Sequence, residues 1–323
     1  MNIGMNVGYS ATKAVAGERR VTFPSAVGTP DRGRFSLSNT NEIILEEPAH
    51  VQVGDAAIEQ SRFLHRREDR RWTESQEWYH LFLAAVSELT TATRVDLQVV
   101  TGLPVAFYGD AEELHGRLVG EHRLRRHGRH GQTITVTECR VIPEPFGTLL
   151  AVTLDDRGRI ADRALATGSV GVIDVGGKTT NLLSVHRMSE IGRETDSVNA
   201  GAWDTVRALR EWLNENYPNL DLRDHQIIDA IIARKTKYYG DVVDLTAVVD
   251  GILEPLADQV IAQASQLWNG AAGLDAILVS GGGALLLGPY VERHFPHVRI
   301  VEDPVFANAL GFWRFAERIA RRG

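Results

Sequence analysis

Cysteine is all but missing from the 323-residue chain: Cys139 stands alone, so no intrachain disulfide staples the fold, and a reducing, cytoplasmic setting is expected. Long apolar runs are lacking too. No stretch approaches the ~20 residues needed to cross a bilayer. The start, MNIGMNVGYSATK, has no basic segment leading into a long apolar one, so neither membrane insertion nor a secretory leader is expected. Positive charge is in deficit. With 35 Lys and Arg against 42 Asp and Glu the net charge is −7, which argues against a general electrostatic grip on nucleic acid, and no direct nucleic-acid binding is expected. The basic run from Arg123 to His130 reads as a solvated face, with contact to DNA or an adaptor as the alternative. Two phosphate motifs are also missing. Gly177-Lys178-Thr179 resembles the end of a P-loop, but Val172 stands where the first glycine belongs and a strand follows instead of a helix. No G-x-G-x-x-G opens a helix after a strand.

What the chain does contain is a duplication. IGMNVGYSATK (residues 3–13) and GVIDVGGKTTN (171–181) align without a gap at an offset of 168, half the chain, so that Asn6 falls on Asp174, Gly8 on Gly176 and Thr12 on Thr180. Each copy reads as strand, tight turn, strand. Two related α/β halves are therefore expected: a first domain over 1–155, with an irregular insertion or small subdomain over about 24–72, and a second over 156–323, the boundary lying in the polar stretch 155–170. Segments 15–23 and 188–198 read as further strands. Trp78, Leu81, Phe82, Ala85, Val86 and Leu89 recur at helical spacing within 74–90. A strand over 95–101, a helix over 111–119, two strands about the turn 125–131 and a helix opening at Pro143-Glu144-Pro145 complete the first half. In the second, helices are expected over 204–213, 224–234 and 243–269, then a strand over 276–279, another over 298–301 and a terminal helix from Pro304.

Backbone amides in a tight glycine turn form an anion-binding concavity, and two such turns facing each other suit a triphosphate. Ser10, Thr12, Lys13, Thr179 and Thr180 would add donors, and Asp174 could hold Mg²⁺ directly or through water. Ordinary hairpin turns are the alternative, since Gly, Asn, Asp and Thr are common there. Ser280-Gly281-Gly282-Gly283, between a strand and a helix, allows close approach of a flat ring or a phosphate.

In this order the segments resemble the actin-like ATPase superfamily, and most of all the prokaryotic plasmid-segregation actins of the ParM type and their archaeal relatives. The first phosphate turn resembles Asn6, Gly8, Tyr9, Ser10, Thr12 and Lys13; the second resembles Asp174, Gly176, Gly177, Lys178 and Thr179. The connecting helices resemble Pro143-Glu144-Pro145-Phe146-Gly147 and Phe306-Ala307-Asn308-Ala309-Leu310-Gly311, and the adenosine loop resembles Gly281, Gly282 and Gly283. The resemblance implies an α/β actin-like fold of two duplicated ribonuclease-H-like domains with a nucleotide cleft between them. It also implies ATP with Mg²⁺ as cofactors, GTP not being excluded, self-assembly into filaments and a DNA-binding adaptor as partner. By resemblance Glu144 orients or deprotonates the attacking water, Asp174 and Asn6 face the metal, Gly201 and Asp204 lie near the ribose, and Lys235 flanks adenine. A helix start for Glu144 and Asp204, and a solvated turn for Lys235, are the plainer readings. One departure stands out: Asn6 occupies a position that resembles one usually held by Asp, so it brings no charge to the metal, and slow hydrolysis is the consequence to test. A small-molecule kinase of the same fold and a slowly hydrolysing nucleotide-dependent scaffold are the rival functions.

Overall fold

Alternation sets the first strand. Asn2–Val7 sends Ile3, Met5 and Val7 into a core with Trp78, Leu81, Phe82 and Leu89 of the helix Gln76–Leu89. Ser75 starts that helix, its hydroxyl accepting from the Trp78 amide at 3.1 Å. The other face of the sheet carries the helix Ala307–Ala320. Val15 packs with Ala309 and Trp313, and Val100 with Phe312 and Ala316. The structure, a computed structural model, describes residues 1–31, 42–65 and 71–321, and its contacts divide the chain into two units, Met1–Ala166 with Phe306–Gly323, and Thr167–Val305.

In the first unit, Asn2–Val7 pairs antiparallel with Ala11–Ala16, which pairs with Arg19–Pro24. On its other side Asn2–Val7 runs parallel to Arg94–Leu103, which runs parallel to Gln132–Pro143. Gly120–Arg126 follows antiparallel, and the short strands Ile43–Glu47, Val51–Val53, Val27–Gly28 and Leu64–His65 extend the same sheet. In the second unit Ser169–Val175 repeats the pattern, antiparallel to Thr180–His186 and parallel to Ala276–Ser280, beyond which lies Val298–Ile300. The helices Ala202–Asn216, Asp224–Ala233, Thr246–Leu267 and Ala284–His294 cover this sheet with a separate core.

Several expectations change. In the described parts of 24–72, short strands extend the main sheet and a helix spans Asp55–Gln60, while 32–41 and 66–70 lie outside the described residues. The segment 188–198 is two short strands, Ser189–Glu190 and Asp196–Val198, about a 3₁₀ turn. Residues 235–244 form a hairpin, Lys235–Tyr238 with Asp241–Asp244, so the long helix begins at Thr246 rather than at 243. By its contacts the terminal helix groups with the first unit, whose other part ends at Ala166. The cause is close backbone contact: a Cβ on Gly311 would stand 1.8 Å from the Gly147 carbonyl oxygen, so the helices Glu144–Thr153 and Ala307–Ala320 touch main chain to main chain.

The basic run is not a uniformly solvated face. Arg125 pairs with Glu46 and Glu47, and His127 with Glu46. Arg126, only 3% exposed, turns inward to Glu88 and gives its other nitrogen to the Glu42 carbonyl at 3.1 Å. Cys139 is buried, and desolvation pushes its thiol up to about 12, so at neutral pH it is an apolar core side chain. Removing one partner of a buried ion pair leaves an uncompensated charge. Glu88→Ala should lower stability by about 3 kcal/mol or more in urea unfolding, and the double change with Arg126→Met should recover most of that loss.

Candidate functional site

Strands that run parallel end at one edge, and ligands of open α/β sheets collect outside those carboxyl ends. In the first unit that edge holds the turn after Asn2–Val7, the Gly102-Leu103-Pro104 segment and Glu144. In the hairpin, Val7 faces Thr12 and Asn6 faces Lys13, and the Gly8 amide donates to the Ala11 carbonyl at 3.2 Å. Asn6 and Lys13 are each 9% exposed, and Gly8, Tyr9 and Ser10 are half-buried in the turn. Thr12 is fully buried, with its hydroxyl 3.0 Å from that of Ser25, while the Ser25 amide donates to the Ser10 carbonyl at 3.0 Å. Tyr9 stacks on Trp72 with ring centroids 5.8 Å apart, and the Trp72 indole donates to the Val7 carbonyl at 3.3 Å. Ser25 and Trp72 were not singled out from the sequence, because nothing local marks a residue 13 or 65 positions away as a neighbour. Glu144 opens its helix directly after Gln132–Pro143, two strands from Asn2–Val7, a backbone separation of about 10 Å.

The second unit builds the same hairpin. Val175 faces Thr180 and Asp174 faces Asn181, and the Gly176 amide donates to the Thr179 carbonyl at 2.9 Å. Asp174 is 3% exposed and accepts from the Ser280 hydroxyl at 3.2 Å. Gly176, Gly177, Lys178 and Thr179 are half-buried. The triple-glycine turn lies against this hairpin, the Gly283 amide donating to the Val175 carbonyl at 3.0 Å. So does the start of the helix Ala202–Asn216, whose Ala202 and Trp203 amides donate to the Gly176 and Gly177 carbonyls at 3.0 and 2.8 Å. Gly201 lets that helix approach: a Cβ there would stand 2.3 Å from the Gly177 oxygen. Asp204 accepts from the Gly201 amide at 2.9 Å and pairs with Arg207, the bonding of a residue that starts a helix. Thr180 is buried and donates to the Ala200 carbonyl at 2.8 Å. Asp174, Gly176, Gly177, Lys178, Thr179, Gly201, Asp204 and Gly281 to Gly283 thus come together, whereas Lys235 sits on a two-stranded sheet of its own, opposite Asp244.

The two hairpins differ in charge. Asn6 opposite Lys13 sums to a cation, and Asp174 opposite Asn181 sums to an anion. They also differ in the parallel neighbour. Asp174 stands beside Ser280 and receives its hydroxyl, whereas Met5 stands beside Thr101, which puts Asn6 beside Gly102, a residue without a side-chain donor. Among the described residues the buried Asn6 side-chain oxygen has no hydrogen-bond partner.

Two family models match the chain: actin-like proteins, N-terminal domain, over residues 4–147, and the archaeal actin homologue MreB-like C-terminal domain over 172–293. The crystal structure of Ta0583, an archaeal actin homologue, is similar with a TM-score of 0.82 at 21% identity, covering 98% of this chain and 99% of that one. Its complex with ADP gives 0.80 at 23% identity over the same shares. A ParM from a 15-stranded filament of Clostridium botulinum gives 0.80 at 21% identity, again over 98% and 99%. No match was found among curated protein sequences. The fold is the actin-like α/β fold.

The triple-glycine turn yields a test by contrast. Gly281 has φ +91°, and a Cβ would stand 2.3 Å from the Val175 oxygen and 2.7 Å from an Asp174 carboxylate oxygen; at Gly282 nothing lies within 4 Å. Gly281→Ala should cost roughly 2–3 kcal/mol of stability through strain and overpacking, and Gly282→Ala less than about 0.5 kcal/mol, read by thermal and urea denaturation.

Proposed function

Since the chain belongs to the actin-like proteins, we propose that it binds and hydrolyses ATP with Mg²⁺ and assembles into nucleotide-dependent filaments. The observation that carries this reading is the hairpin built twice at matched register, each at the end of a strand whose parallel neighbour stops beside it. Turn amides of that kind suit phosphate oxygens. The triple-glycine turn, open at Gly282, suits the adenosine, and GTP is the alternative nucleotide. The ADP complex of Ta0583 and the ParM filament lend support.

The residues fit a hydrated divalent cation. Among the described residues no group of three or more His, Cys, Asp and Glu makes an all-protein cage. Mg²⁺ keeps waters and phosphate oxygens and needs one or two carboxylates, a part that Asp174 fills. The orphaned oxygen of Asn6 is an acceptor suited to a metal-bound water. When bound, the ion would neutralise phosphate charge. Lys13 and Lys178 offer cationic donors, and Glu144 orients or deprotonates the attacking water. Hydrolysis would then weaken contacts between subunits, because only a ligand with differential affinity for two states shifts their balance. Segregation of plasmid DNA through an adaptor is the use we favour. Asn6, bringing no charge, favours a second reading in which the protein is a slowly hydrolysing scaffold.

Light scattering with ATP and Mg²⁺, followed by electron microscopy of the sediment, tests assembly; filaments are expected, and their absence alongside phosphoryl transfer to a small acceptor would favour a kinase. Glu144→Ala should keep nucleotide affinity and slow phosphate release by about 100-fold or more. Asn6→Asp should lower the half-saturating Mg²⁺ concentration of the ATPase, since a carboxylate replaces an amide near the ion. Identical Mg²⁺ curves would take residue 6 away from the metal.

A further inference from the structure

The Glu144 helix is fastened in its first turns by a residue 160 positions along the chain. The side-chain oxygen of Asn308, in the first turn of the helix Ala307–Ala320, accepts from the Thr148 amide at 3.1 Å and from the Thr148 hydroxyl at 2.8 Å. In a regular α-helix the amide of Thr148 belongs to the carbonyl four residues back, which is that of Glu144. The Asn308 oxygen is therefore bonded to the amide that closes the first helical turn at Glu144. Thr148 is fully buried and Asn308 is 6% exposed, so water does not compete for these groups.

The surrounding packing removes any cushion. A Cβ on Gly147 would lie 2.6 Å from the Asn308 Cα, and one on Gly311 would lie 1.8 Å from the Gly147 oxygen. On the sheet side, a Cβ on Gly102 would meet the Phe312 ring at 2.5 Å and the Glu144 Cα at 3.1 Å. Main chain touches main chain on both sides of the turn that carries Glu144. Close-packed contacts of this kind pass a displacement on instead of absorbing it.

We propose that Asn308 is a positioning residue for ATP hydrolysis, acting through Thr148 to fix the helix turn that bears Glu144. The proposal rests on the reading of Glu144 given above. A shift of about 1 Å in a group that orients a reactant is enough to cost up to ~100-fold in rate, so the clamp matters for turnover and not for nucleotide affinity.

Asn308→Leu, Thr148→Val and Thr148→Ser, each in the parent and in Glu144→Ala, separate the possibilities. Asn308→Leu and Thr148→Val should lower the turnover of phosphate release by roughly 10-fold or more in the parent, with nucleotide Kd unchanged, and neither should lower it further in Glu144→Ala. Thr148→Ser keeps both donors and should retain parental turnover. In the nucleotide-free protein, Asn308→Leu should speed amide hydrogen exchange in a peptide spanning 144–153, with peptides of the unit's central strands unchanged. Equal losses in the parent and Glu144→Ala backgrounds, or parental turnover in Thr148→Val, would overturn the proposal. Should Asn308→Leu fail to fold, the Val and Ser variants of Thr148 decide it alone. Unchanged turnover in Glu144→Ala itself would overturn the reading of Glu144, and with it the clamp.

Discussion

A strand hydrogen-bonded along both edges cannot slip by one residue without exchanging its two faces, and that constraint underlies both units. Asn2–Val7 is held antiparallel by Ala11–Ala16 and parallel by Arg94–Leu103; Ser169–Val175 is held in the same way by Thr180–His186 and Ala276–Ser280. With Ile3, Met5 and Val7 committed to one core, Asn6 has no choice of face. The residue two before each turn glycine is thereby delivered, nearly dry, to the carboxyl edge of its sheet.

What that residue does there depends on its neighbours. Asp174 places its carboxyl group beside a neutral Asn181 and accepts from the Ser280 hydroxyl, so part of its burial cost is met inside the protein. Asn6 is neutral opposite Lys13 and stands next to Gly102, and among the described residues its oxygen has no donor. Identical backbone thus carries opposite electrostatics. A buried acceptor without a donor is costly.

The terminal helix supplies the other half of the first unit. Gly147 and Gly311 sit inside helices, where glycine is worse than alanine by about 1 kcal/mol, and both sit where a side chain would strike the facing backbone. The close crossing lets Asn308 reach a main-chain amide as well as a hydroxyl on Thr148. The same helix covers Val15 and Val100, so the sheet's second face is finished only when the chain returns from the second unit.

Much of this was legible in the residues. The duplicated strand-turn-strand, the helical spacing around Trp78 and Leu89, the proline-framed helix start at Glu144 and the glycine turn after Ser280 are local patterns, and local patterns report periodicity and turn chemistry directly. Three of the strands of 24–72, Val27–Gly28, Val51–Val53 and Leu64–His65, were hidden because strands of two or three residues carry no period, and 235–244 because Val243 continues the apolar spacing of the helix behind it. Sequence alone placed Asn6 and Asp174 at equivalent positions and set their charge difference. Only the tertiary structure decided that Ser280 donates to Asp174 while Asn6 stands beside Gly102, that Arg126 turns inward to Glu88, and that Asn308 bonds the helix of Glu144. Those facts depend on strand order and on contacts across up to 160 residues, which a one-dimensional pattern does not encode because every such pairing is chosen by the packing of the whole unit.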